Sequence, residues 1–127
     1  RKQIEKTDSF QLFSGSEHFY RDFIYVNDVV DIMLFFFERS HFSGIFNAGT
    51  GHAASFLELA EQIQACHEET LLELVAFPEH LKGNYQRFTQ ANLIELQNIG
   101  YDCKFTPLKD AVAEYVDLLK TNQGYLH

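Results

Sequence analysis

Hydrophobic residues recur at every second position in some segments and at every third or fourth position in others. The first pattern predicts short strands and the second predicts helices between them. Strands are predicted at residues 10–13, 23–26, 44–47 and 71–77, and helices at residues 28–38, 56–67, 90–98 and 107–120. Residues 1–7 have the pattern of the polar end of a helix whose beginning is missing. This alternation of strand and helix indicates an α/β fold.

Residues typical of helix ends lie at the predicted boundaries. Ser55 and Glu58 have the spacing of a capping box, in which each side chain bonds to the backbone of the other residue. The other boundary residues are Asn27 and Thr89 as N-caps, Gly100 as a stop signal, and Thr106 followed by Pro107 at a helix start.

The helix predicted at residues 28–38 is apolar on almost every side, so it should be buried on more than one face. Four short strands make too small a sheet to cover it. We therefore expect the chain to be the back part of a longer enzyme, which also agrees with a start at Arg1 without methionine. On its own, the chain should expose apolar surface along residues 29–37 and self-associate or be held by a partner chain.

The composition of the chain limits the classes of molecule that it could bind and the compartment that it suits. The net charge is −8, from 18 acidic and 10 basic residues, which disfavours nucleic acid and anionic membrane surfaces. Cys66 and Cys103 are far apart, as in proteins of a reducing cytoplasm, and the six histidines lack the spacing of a metal site. The longest apolar run, residues 32–37, is too short to span a bilayer.

A glycine-rich segment at residues 49–54 matches the pattern G-x-G-x-x-A of dinucleotide-binding loops. The capping box puts the start of the next helix at Ser55, too late for that motif, and no acidic residue ends a following strand at the required distance. We therefore interpret the segment as a strand-to-helix turn and do not place a cofactor there.

Two segments could bind an anion. Arg21 opens an apolar stretch just after the small polar loop of residues 13–16, and an arginine there can clamp a phosphate. The alternative is a local salt bridge with Asp22. In the loop of residues 82–87, Tyr85 could stack on a base or reach a phosphate, or simply anchor a solvated loop. The chain contains no Tyr-x-x-x-Lys pair and no evident catalytic acid or base.

Several segments together resemble a known enzyme family: residues 12–16, 21–26, 43–47, 49–51 and 77–91. Their order and spacing are similar to the C-terminal part of the ADP-L-glycero-D-manno-heptose 6-epimerases. These are extended short-chain dehydrogenases/reductases that act on a nucleotide sugar. The resemblance implies an α/β chain that forms the C-terminal, substrate-binding part of a Rossmann-type enzyme whose cofactor half is missing.

The resemblance also implies a function. The whole enzyme would use NADP for a redox-neutral inversion at C6 of ADP-heptose, in the cytoplasm, for lipopolysaccharide core synthesis. Catalytic and cofactor-binding residues would lie before Arg1, with none in this chain, and no metal is implied. Residues 1–127 would form the substrate lobe, with 23–67 packing on the missing Rossmann domain, and the enzyme would be a homo-oligomer. The substrate contacts would be Phe13, Ser14, Gly15, Ser16, Arg21 and Tyr85.

Two alternatives stay open on the sequence. The chain could come from another extended reductase, such as a UDP-sugar epimerase or a nucleotide-sugar dehydratase. It could also be a nucleotide-sugar binding module without catalytic activity.

Overall fold

The structure, a computed structural model, describes residues 9–67, 69–81, 83 and 85–121. Its elements are β1 (Ser9–Phe13), β2 (Tyr20–Arg21), α1 (Val26–Glu38), β3 (Ala54–Ser55), α2 (Phe56–Ala65), β4 (Leu71–Val75), α3 (Ile94–Asn98) and α4 (Leu108–Thr121). Single 3-10 turns lie at Ser16–His18 and Glu79–Leu81. The helix end predicted at residues 1–7 lies outside the described residues.

Two small sheets organise the chain. In the first, β1 runs parallel to β4, from the pair Ser9 and Leu71 to the pair Phe13 and Val75. In the second, β2 is antiparallel to β3, and Tyr20 also forms a bridge with Phe88. The strands predicted at residues 10–13 and 71–77 are confirmed, and the second one ends at Val75.

The capping box is confirmed and fixes the start of α2. The backbone N–H of Ser55 donates to Glu58 at 2.6 Å, and the backbone N–H of Glu58 donates to the Ser55 hydroxyl at 3.1 Å. These bonds satisfy donors that a helix N-terminus otherwise leaves without a partner. The helix ends at Ala65, two residues before the prediction, and it packs against α4.

Polar contacts join α1 to the end of the chain. The Tyr25 hydroxyl donates to Glu114 on α4 at 2.8 Å, and burial together with this carboxylate raises the pKa of Tyr25 to about 12. The buried carboxylate of Asp28 accepts bonds from the backbone N–H and the hydroxyl of Thr106, at 3.0 and 2.8 Å. The segment before α4 is therefore held against the first turn of α1.

Two predicted strands are wrong. Residues 23–25 pair with no strand in the described part of the chain, and Val26 already belongs to α1. Residues 44–47 form no strand either, and the Ile45 side chain is 96% exposed. A β-strand depends on a neighbour for its hydrogen bonds, and the described residues provide none at these places.

Two helix starts also differ from the prediction. The N-cap of α1 is Tyr25, so the assignment of Asn27 as the N-cap is wrong. Helix α3 begins at Ile94 and not at residue 90, and the Ala91 N–H ahead of it donates to the distant carboxylate of Asp22. Thr89 is therefore not the cap of this helix.

A row of apolar side chains on α1 faces away from the chain. The row, called here the α1 stripe, repeats at helical spacing and consists of Val26, Val30, Met33, Leu34 and Phe37. Phe37 is 85% exposed and Met33 is 65% exposed. The predicted exposure of apolar surface along residues 29–37 is therefore confirmed. No helix in the described part of the chain is long and apolar enough to cross a membrane.

The α1 stripe should make the isolated chain self-associate. The double variant Met33→Gln and Phe37→Gln should shift it toward the monomer in sedimentation and lower its binding of a hydrophobic dye, because the two most exposed stripe residues become polar. The matched control carries Leu71→Gln and Leu74→Gln, two exposed residues on β4. Equal effects of the two double variants would show that the stripe has no special role.

Candidate functional site

The loop of residues 13–16 closes the end of β1. The Ser14 N–H donates to the Val75 carbonyl at 2.7 Å, and Gly15 adopts a left-handed conformation with φ of 89°. Glycine populates this region without steric cost. Ser16 is buried, and its hydroxyl donates to the Phe13 carbonyl, so this hydroxyl closes the turn. The side chains of Phe13 and Ser14 remain exposed beside it.

Two aromatic rings, those of Phe19 and Phe77, connect this loop to Tyr85. The Phe77 ring lies 5.5 Å from Phe13, 5.3 Å from Phe19 and 5.4 Å from Tyr85, measured between centroids. Phe19 and Tyr85 also meet edge to face at 4.8 Å. These separations lie within the range in which aromatic pairs attract each other. Phe19 and Phe77 thus bring two of the predicted site residues, Phe13 and Tyr85, into one cluster.

Arg21 joins the same cluster. Its guanidinium carbon lies 5.3 Å from the centroid of the Tyr85 ring and 5.7 Å from that of Phe56, and it sits over both rings. Its two terminal nitrogens donate to the carbonyls of Tyr20, at 2.7 Å, and Gln86, at 2.5 Å. A guanidinium has five N–H groups. The others find no acceptor among residues 9–67, 69–81, 83 and 85–121.

The salt bridge between Arg21 and Asp22, the alternative left open by the sequence, does not form. Within the described residues, no carboxylate is within ion-pair distance of Arg21. Asp22 instead accepts bonds from the hydroxyl and N–H of Thr50, at 2.6 and 2.7 Å, and from the N–H groups of Gly51 and Ala91, at 2.9 and 3.0 Å. The positive charge of Arg21 is therefore left unneutralised by its neighbour.

These bonds change the acidity of Asp22. Burial alone would raise the pKa of its carboxyl, but the hydrogen bonds from Thr50, Ala91 and Gly51 together outweigh it and lower the pKa below the ordinary 3.8. The absence of a side chain at Gly49 lets Asp22 and Ala91 lie this close to residues 49–51. An added Cβ at Gly49 would lie 2.5 Å from the Ala91 Cβ and 2.7 Å from an Asp22 oxygen.

The same bonds occupy backbone groups of the glycine-rich segment at residues 49–54. A dinucleotide-binding loop offers its backbone N–H groups to a pyrophosphate. Here the N–H groups of Thr50 and Gly51 are occupied by Asp22 of the same chain. The glycine-rich segment therefore forms an internal contact with Asp22.

The structure brings together Phe13, Arg21 and Tyr85 of the predicted site, with Ser14, Gly15 and Ser16 in the adjoining turn. Lys82 and Asn84 of the second predicted loop lie outside the described residues. The sequence interpretation missed Phe19, Phe56 and Phe77, and it did not identify the partners of Asp22. Asp22 and its three partners are separated by 28, 29 and 69 residues, and no local pattern marks such contacts.

Other reactive groups lie apart from this cluster. Cys66 and Cys103 are free thiols, and burial, with Asp102 nearby, raises the pKa of Cys103. No group of three or more potential metal ligands occurs in the described part of the chain. An apolar cavity of about 430 Å³ lies between α2 and α4, and none of the six predicted site residues lines it.

Comparison with known proteins identifies a similar enzyme. The chain is 44% identical over 124 residues to the ADP-L-glycero-D-manno-heptose-6-epimerase of Brachyspira hyodysenteriae, a match that covers 98% of this chain and 39% of the relative. The resemblance inferred from the sequence is thus confirmed. The chain spans about two fifths of the length of this relative. No family model matches the chain.

Three solved structures share the fold. The NAD-dependent NDP-hexosamine 5,6-dehydratase TunA of tunicamycin biosynthesis matches with a TM-score of 0.76 at 17% identity, over 94% of this chain and 38% of its own. The dTDP-glucose 4,6-dehydratase of Bacillus anthracis, in complex with NAD, gives 0.75 at 18%, over 98% and 38%. RMD of Pseudomonas aeruginosa, complexed with NADPH, gives 0.71 at 18%, over 95% and 39%.

These likenesses settle the fold class. Each covers nearly all of this chain and less than two fifths of the other, so the chain corresponds to one part of a larger architecture. The predicted fold class, an α/β chain with the fold of part of an extended short-chain dehydrogenase/reductase, is confirmed. At 17–18% identity the likenesses concern the fold alone.

The hydrogen bonds that Asp22 accepts should make the free energy of unfolding depend on pH under acidic conditions. Because the pKa of Asp22 is lower in the folded protein than in the unfolded chain, its stabilisation is complete above about pH 3.8 and is lost as the pH falls through the folded pKa. Asp22→Asn should lower the free energy of unfolding by about 2–4 kcal/mol near neutral pH. The gap to the wild type, measured by urea denaturation, should narrow below pH 4. A gap that stays constant across this range would contradict the assignment.

Proposed function

We propose that this chain is the substrate-binding part of an epimerase that inverts C6 of ADP-glycero-manno-heptose. The observation that carries the proposal is the 44% identity to a heptose epimerase along 98% of the chain. The cluster around Arg21 supports it, because it presents a cation and aromatic rings on one surface. Since the chain spans 39% of that relative, the activity belongs to the protein as a whole.

Arg21 suits the diphosphate of a nucleotide sugar. Its guanidinium lies over two rings and is fixed by two backbone carbonyls, so little side-chain freedom is lost when an anion binds. The remaining N–H groups can donate to phosphate oxygens, which are strong acceptors. Tyr85, whose ring lies against the Arg21 guanidinium, would line the site beside it, and the loop of Phe13, Ser14, Gly15 and Ser16 would line the nucleotide end.

The nicotinamide cofactor would be held outside this chain. The one segment with a dinucleotide-binding pattern does not fit the group, because Asp22 occupies the N–H groups of Thr50 and Gly51. Enzymes with this fold carry NAD or NADPH in their structures, and NADP is the cofactor proposed here. This chain would bind and orient the nucleotide sugar.

A further domain would cover the α1 stripe. Exposed apolar residues that repeat along one helix face indicate a buried interface in the complete protein. We propose that residues 23–67 pack on a Rossmann domain and that residues 1–127 form the substrate lobe. Association into a homo-oligomer, a cytoplasmic location and a role in lipopolysaccharide core synthesis belong to the same proposal, as the resemblance to the heptose epimerases implies.

Arg21→Ala in the protein encoded by the complete gene should raise the KM for ADP-heptose. Loss of one charge-assisted contact should cost about 1.5–3 kcal/mol, which corresponds to roughly 10- to 150-fold. Initial rates of C6 inversion provide the measurement. Arg39→Ala is the matched control, since Arg39 also lies over a ring, that of Phe35 at 4.3 Å, but on the C-terminal end of α1. An unchanged KM would remove Arg21 from the site.

Nucleotide preference should distinguish the proposal from its alternatives. The complete protein should bind ADP and ADP-heptose more tightly than UDP, UDP-sugars or dTDP-sugars, as measured by calorimetry. Preference for a UDP- or dTDP-sugar would point to another extended reductase. Binding of ADP-heptose without any inversion, in the presence of NADP, would instead indicate a binding module.

A further inference from the structure

The carboxylate of Asp22 connects two segments that are distant in the sequence. From one segment it accepts the hydroxyl and the N–H of Thr50 and the N–H of Gly51. From the other it accepts the N–H of Ala91, 69 residues away. Three of these four donors are backbone groups, so the carboxylate fixes the course of the chain itself and not only the position of a side chain.

The second segment also carries Tyr85 and borders β2. The Tyr20 N–H donates to the Arg87 carbonyl at 2.8 Å, and the Thr89 N–H donates to the Tyr20 carbonyl at 3.2 Å. Arg21 itself donates to the Gln86 carbonyl. Residues 85–91 are therefore attached to residues 20–22 by backbone pairs, by Arg21 and, at their far end, by Asp22.

We propose that Asp22 is a positioning residue for the nucleotide-sugar site. By holding Ala91 and the turn at Gly49 to Gly51 around one carboxylate, it sets the distance between Arg21 and Tyr85 without contacting the substrate. This inference rests on the proposed function. It differs from a general role in stability, because the strands and loops that Asp22 joins are those that carry the anion-binding groups.

Asp22→Asn is the direct test, because the amide has the same shape but replaces one acceptor oxygen by a donor group. That group would face N–H donors, so part of the network is lost. In the complete protein the KM for ADP-heptose should rise roughly tenfold, and kcat and the affinity for the nicotinamide cofactor should change by less than roughly twofold. Calorimetry with ADP as the probe should show a parallel loss of affinity.

A second pair of variants keeps the test decisive if Asp22→Asn does not fold. Thr50→Val removes the hydroxyl bond to Asp22 and should raise the KM roughly threefold, whereas Thr50→Ser keeps the hydroxyl and should restore it. The matched control is Asp28→Asn, the same change at a second carboxylate that accepts hydrogen bonds from a backbone N–H and a threonine hydroxyl. Asp28 bonds to Thr106 before α4, and it shares no hydrogen-bond partner with Asp22. It should lower stability but leave the KM unchanged.

Each outcome has one meaning. If Arg21→Ala raises the KM and neither Asp22→Asn nor Thr50→Val does, the positioning role of Asp22 is wrong and the proposed function stands. An equal rise of the KM in Asp28→Asn would also contradict the positioning role of Asp22, because a general loss of stability would then be enough to raise the KM. If the wild type inverts no ADP-heptose, the proposed function fails. The positioning role of Asp22 is then tested only by whether Asp22→Asn binds ADP more weakly than the wild type. A wild type that does not bind ADP would overturn both.

Discussion

The carboxylate of Asp22 is the contact on which the arrangement of this chain depends. The sheets are only two strands wide, and one has just two residues in each strand, so ladder hydrogen bonds alone fix little of the tertiary structure. Asp22 adds four charge-assisted bonds at the point where three segments meet. Gly49 is part of the same constraint, because any larger residue would push Asp22 and Ala91 apart.

Local signals in the sequence predicted the elements that need no distant partner. The capping box of Ser55 and Glu58 formed as predicted because both groups lie within one helical turn. The strand at residues 10–13 and most of the one at residues 71–77 also formed, and the two strands pair in parallel. Residues 23–25 and 44–47 have no neighbouring strand in the described part of the chain, so they remain irregular, and Val26 joins α1.

The candidate site was predictable in its residue types but not in its connections. Arg21 and Tyr85 could be named from the sequence because cations and tyrosines suit a phosphate, yet the rings that bring them together, Phe19 and Phe77, look like ordinary core residues. The partners of Asp22 could not be found from local sequence. Adjacent opposite charges suggest a salt bridge, whereas Asp22 turns to Thr50, Gly51 and Ala91.

This geometry resolves an electrostatic difficulty in the proposal. A net charge of −8 lowers the affinity of a chain for an anion, and an aspartate next to the binding arginine should lower it further. Successive side chains of an extended segment point to opposite sides. Arg21 accordingly lies over Tyr85, while Asp22 points into a set of N–H and hydroxyl donors that balance its charge. The donors that lower the pKa of Asp22 are thus the same groups that turn its carboxylate away from Arg21, which has no counter-ion among the described residues. A local positive site becomes possible on an acidic protein.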